Sequence, residues 1–117
     1  GIRSDILPKI ATGFCGGIAH TSGICGAVAG AVMAIGMLTG RSKPEDPRAL
    51  TFSLAQAVLK DFGERFGSTN CTELLGCDLG TPEGLEYMKT HNMRPKCAEF
   101  VAAAAETTAR LLAENGK

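Results

Sequence analysis

Five cysteines, Cys15, Cys25, Cys71, Cys77 and Cys97, are the residues of this 117-residue sequence with the most reactive chemistry. Cys25 opens the run Cys25-Gly26-Ala27-Val28-Ala29-Gly30, where a glycine-rich stretch gives way to a long apolar segment. A helix N-terminus carries unpaired N–H groups and a partial positive charge. A thiol placed there is expected to lose its proton more readily, and the thiolate is the form that attacks disulfides or binds metals. Five is an odd number, so intrachain disulfides cannot use every cysteine, and no two are spaced as CxxC. That spacing argues against a zinc knuckle, a thioredoxin-type motif and c-type haem attachment. The chemistry that remains is that of thiols brought together from distant parts of the chain.

The elements that position these thiols read as helices. Ser4-Asp5 caps a short helix from about Ile6 to Ala11, with Pro8 in its first turn. Gly13 to Gly23 contains four glycines and reads as a loop, either a connector or a wrap around a cofactor or partner thiol. Ile24 to Thr39 is apolar all round and predicts a central helix capped by Gly40. Asp46 and Pro47 then open a helix to Phe66, striped by Leu50, Leu54, Val58, Phe62 and Phe66 and ended by Gly67. Ser68 or Asn70 caps a short helix that begins at Cys71, and Cys77-Asp78-Leu79-Gly80 is a turn. Thr81-Pro82 starts another short helix. Pro95 opens the last one, with Cys97 in its first turn and a core face of Phe100, Val101, Ala104, Ala105, Thr108, Leu111 and Leu112.

Cys25, Cys71 and Cys97 therefore all fall at helix starts. The commonest role of any one cysteine is that of a small buried hydrophobe. Three such placements together favour function: an electropositive cluster that stabilises thiolates or an iron–sulfur cluster with its bound thiolates.

The segments Cys25-Gly26-Ala27-Val28-Ala29-Gly30, Gly67 to Gly76 and Lys96-Cys97 resemble the C-GCAxxG-C-C family, over about Gly13 to Ala113. That family is described as redox-active on the strength of four cysteines, and a similar module occurs in split-Soret cytochrome c with a proposed iron–sulfur centre. The resemblance implies redox roles for Cys25, Cys71 and Cys97. It also implies a further cysteine on a helix upstream of the glycine-rich loop; this sequence has none there, so either that ligand is absent or the chain is shortened. Cys15 or Cys77 is then the candidate fourth thiol.

Composition bounds the alternatives. Twelve basic and twelve acidic residues balance, which gives no reason to expect a nucleic-acid partner. Six aromatics without Trp, and abundant Ala and Gly, favour a single all-α domain over residues 1–117, a compact bundle of about four main helices plus short ones. No P-loop and no GxGxxG after a strand point to a nucleotide, and no CxxCH points to covalent haem. No carboxylate pair is placed for acid–base work. His20 in the glycine-rich loop and His91 near a helix end are weaker candidates, as a ligand or proton donor and as a partner of the helix dipole. Met33, Met37, Met88 and Met93 read as core filling.

Ile24 to Leu38 is apolar throughout and Gly26 and Gly30 form a GxxxG, but its 15 residues fall short of the roughly 20 that a membrane span needs. A buried helix is expected instead. The first residues lack the design of a secretory signal, which leads to the expectation of a reducing, cytoplasmic compartment. Three functions follow in order. The first is electron transfer by an iron–sulfur or other thiolate-bound metal centre, with a redox partner protein. The second is thiol–disulfide exchange. The third is a non-catalytic helical module, and the Gly/Ala-rich helix face makes a homodimer the expected assembly.

Overall fold

The computed structural model describes residues 3–117, all helical or irregular apart from one isolated antiparallel bridge between Ile24 and Asn70. In chain order the elements are α1 (Ile6–Ala11), a 3-10 turn (Thr12–Phe14), the single turn α2 (Cys15–His20), α3 (Gly26–Thr39), α4 (Ala49–Phe66), α5 (Cys71–Leu75), α6 (Pro82–Thr90) and α7 (Arg94–Glu114). The all-α expectation holds. No helix among the described residues is long and apolar enough to cross a membrane.

The core lies where α3 packs on both α4 and α7. Val28 and Ile35 of α3, Leu54, Val58 and Phe62 of α4, and Phe100, Ala104 and Leu112 of α7 are buried in it. Phe62, Phe66 and Phe100 form a cluster with ring centroids 4.8–5.8 Å apart, so aromatic edges and faces lock α4 to α7. Two polar ties join α4 to α7 and to α3. Thr107 donates its hydroxyl to Asp61 Oδ2 at 2.8 Å, and Thr51 donates to the Thr39 carbonyl at 2.8 Å.

Local signals set several boundaries. Asn70 accepts from the Glu73 N–H at 3.1 Å, Thr81 accepts from the Gly84 N–H at 3.0 Å, and Gly67 ends α4 in the left-handed conformation.

Four expectations need correction. The glycine-rich stretch is not a loop. Gly16 to His20 winds through one left-handed turn, with φ of +70° at Gly16 and +59° at Ile18. The α4 helix starts at Ala49, because the Asp46 carboxylate is occupied by the Ser42 N–H at 3.0 Å instead of capping a helix. The buried face of α7 is rotated from the one expected: Ala103 and Thr107 are buried, while Val101 is 56% exposed and Ala105 is also exposed. Finally, α3 is central on one side only. Its Gly30, Met37 and Leu38 are exposed, so Met37 does not fill the core.

Candidate functional site

The starts of α3 and α5 are joined by backbone hydrogen bonds. The Cys25 N–H donates to the Thr69 carbonyl at 2.7 Å, and the Cys71 N–H donates to the Gly23 carbonyl at 2.9 Å, one on each side of the Ile24–Asn70 bridge. Asn70 serves both segments. Its side-chain oxygen caps α5, and its amide donates to the Ser22 carbonyl at 2.6 Å. The Ser22 and Thr72 hydroxyls, 2.6 Å apart, add a further tie. Cys25, as the residue capping α3, and Cys71, as the first residue of α5, are thereby held as neighbours.

The left-handed turn packs onto this pair. Gly17 is buried at φ +73°, and a Cβ there would lie 2.5 Å from Cys71 Cβ and 3.2 Å from its Sγ. Its carbonyl accepts from the Gly23 N–H at 2.8 Å. A left-handed conformation costs about 1–2 kcal/mol for each non-glycine residue, and Ile18, Ala19, His20 and Ser22 all adopt one. Strain of this kind persists only where surrounding contacts determine it, and it concentrates at functional sites. Gly26 lets the chain pass close by as well: a Cβ there would meet the Phe14 carbonyl at 3.0 Å and the Cys15 Cα at 3.5 Å, which sets Cys15 beside the start of α3.

Cys15, Cys25, Cys71 and Cys97 all line one cleft of about 890 Å³. Its walls run along Ala27, Gly30 and Ala34 of α3 and Val101, Ala105 and Leu112 of α7. Cys25 and Cys71 are buried, Cys97 is half-buried in the first turn of α7, and Cys15 is exposed. Cys77 is buried just after the end of α5 and does not line the cleft. His20 lies on the cleft wall with its ring against Gly16. His91 is elsewhere, stacked on Tyr87 at the end of α6.

The electrostatics reverse one expectation. Burial pushes the Cys71 thiol up from its ordinary 9.0 to about 11, and the charges that Cys25, Cys97, Cys77 and Cys15 would carry push in the same direction. Cys97 is also raised, first by burial and then by Cys25, Cys15 and Cys77, with Arg94 opposing. Cys77 is raised by burial and by Asp78. The helix-start placement of Cys71 and Cys97 is correct, but desolvation outweighs the helix dipole there. Arg94 was not among the residues singled out from sequence. Its position three residues before Cys97 on one helix is the signal that marks it as a neighbour.

Among the described residues, no three His, Cys, Asp or Glu side chains converge as a site for one metal ion. No solved structure matches this chain. A protein of Archaeoglobus fulgidus named "Uncharacterized protein" is similar to it, 30% identical over 114 residues that cover 90% of this chain and 70% of its own. The family model described as "Putative redox-active protein (C_GCAxxG_C_C)" matches residues 1–111. The chain belongs to the C_GCAxxG_C_C family.

Proposed function

We propose that Cys25, Cys71, Cys97 and Cys15 are the redox centre of this protein, as thiolate ligands of an iron–sulfur cluster. One observation carries the reading: four thiols from four separate segments line a single cleft. Four thiolates are the ordinary ligand set of such clusters. Cys15 is the better fourth ligand because it lines the cleft, whereas Cys77 does not.

The donor chemistry supports a cluster over the alternatives. Burial and the charges of neighbouring thiolates raise both Cys71 and Cys97, so their thiolate forms are disfavoured. A cationic metal core offsets both effects, and a coordinating thiol is deprotonated outright. Thiol–disulfide exchange instead needs a free attacking thiolate near ambient pH. Zinc held by four cysteines usually takes them as closely spaced pairs, and no two of these cysteines are spaced as CxxC.

When bound, the cluster would supply one-electron transfer. This chain supplies the thiolates, an apolar wall that governs dielectric and solvent access, and the Arg94 charge near Cys97, all of which tune a cluster's potential.

The test is iron and acid-labile sulfide analysis with a visible spectrum, on protein purified without oxygen and reconstituted with iron and sulfide. Iron and sulfide should be retained by the unaltered chain and by Cys77→Ser, and lost in Cys25→Ser and Cys71→Ser. Colourless protein that loses a pair of free thiols on mild oxidation would overturn the reading in favour of exchange.

A further inference from the structure

We propose that the open side of the cleft is a self-association surface, on which a second copy of this chain seats and shields the thiols that line it from water. The inference goes beyond the redox reading and stands without it.

The first observation is surface area. The chain exposes 7439 Å², whereas a compact monomer of 12.1 kDa exposes roughly 6,000 Å². The excess of roughly 1,400 Å² is more than the ~800 Å² that each partner contributes to a standard interface. The radius of gyration, 15.1 Å, likewise exceeds the about 13 Å expected of a compact chain of this length.

The second observation is where the exposed apolar residues lie. Val101 (56% exposed), Leu85 (47%) and Phe14 (36%) come from three separate segments and all line the cleft. Apart from the thiols, the ionisable side chains of that wall are His20 and Arg94. Isolated apolar residues on a surface need no explanation, but several sharing one largely uncharged face mark an association site.

The occupant follows from what one chain offers. The same face combines small residues, Ala34 and Gly30 with open space over it, and large exposed apolar side chains, Val101 and Leu85. A two-fold contact needs one patch that is complementary to itself, so that the large side chains of each copy meet the small residues of the other. The formal net charge is zero, so two copies meet without overall repulsion.

The test is sedimentation equilibrium or light scattering of the reduced full chain at up to about 100 µM, where an interface of this size is populated. Reductant excludes disulfide-linked dimers. The expected mass is twice the 12.1 kDa of one chain. Val101→Glu and Leu85→Glu should each return it to the single-chain mass with unchanged helical circular dichroism, since both residues are exposed in one chain. Phe52→Glu, at a residue 52% exposed but outside the cleft, should remain dimeric. Alkylation of Cys15 should be slower in the dimer than in the Val101→Glu monomer. A single-chain mass at the highest concentration would overturn the proposal. So would an assembly that survives both cleft substitutions or that dissociates with Phe52→Glu.

Discussion

Replacing Gly17 with alanine tests the close approach on which the site depends. Two effects add at this position. The backbone sits at φ +73°, and an L-residue there costs about 1–2 kcal/mol. The new methyl would also lie 2.5 Å from Cys71 Cβ and 3.2 Å from both Cys71 Sγ and the Gly23 carbonyl. The first of these neighbours is tied to the start of α5 and the last is backbone, so neither can swing aside like the tip of a flexible side chain. Overpacking of this kind costs about 1–3 kcal/mol. The expected loss is about 2–5 kcal/mol in urea unfolding of the reduced, metal-free protein, a large share of the 5–15 kcal/mol typical of a domain.

Two other glycines separate the contributions. Gly67 sits at φ +85° with nothing within reach of a Cβ, so Gly67→Ala should lose only the conformational part, about 1–2 kcal/mol. Gly63 lies inside α4 with open space around it, so Gly63→Ala should gain about 0.5–1 kcal/mol. Gly17→Ala should also speed the reaction of Cys71, 8% exposed in the native chain, with a thiol reagent. If Gly17→Ala were no more destabilising than Gly67→Ala, the packing of the left-handed turn against Cys71 would be refuted.

Two further outcomes concern the same thiols. With the Cys71 thiol raised from 9.0 to about 11, the folded state favours its protonated form. The resulting stability is fully present below pH 9 and is lost as pH rises through about 11, amounting to about 2–3 kcal/mol. Urea midpoints of the reduced, metal-free protein across that window should show this loss, and Cys71→Ala should show correspondingly less. At Asn70, replacement by alanine removes both the α5 cap and the amide bond to the Ser22 carbonyl. A loss of about 2–3 kcal/mol is expected, with faster labelling of Cys25 and Cys71. Asn70→Asp keeps the cap but turns an acceptor toward that carbonyl, so it should fall between alanine and the native residue.

Much of this site is written in local chemistry. Asn70 before Cys71-Thr72-Glu73, and Thr81 before Pro82, announce helix starts that need no distant contact, and both cap as their side chains dictate. The stripe of Leu54, Val58 and Phe62 announces a buried face in the same way. What could not be read is whatever depends on a competing partner. Asp46 has the properties of a helix cap, yet its carboxylate is taken by the Ser42 N–H. Ile18, Ala19 and His20 carry no signal for a left-handed turn, because that conformation is opposed by their own side chains and is held by the packing of Gly17 on Cys71 and by bonds from Thr21 and Gly23 to the Gly17 carbonyl.

The same limit explains the two errors nearest the chemistry. Periodicity marks Val101 and Ala105 as apolar positions on α7, but it does not distinguish the wall of an open cleft from the inside of a core. The rule that helix starts acidify thiols is local, whereas the burial that reverses it for Cys71 and Cys97 arises from three chain segments meeting. Both errors share one cause: an apolar enclosure assembled from distant segments, open on one side, with thiols in its lining. Cys71 and Cys97, raised by that enclosure, are poorly suited to act as free nucleophiles. On the function proposed above, a bound cationic group would take the place of those protons, and the apolar cleft that raises the thiols would also keep water from it.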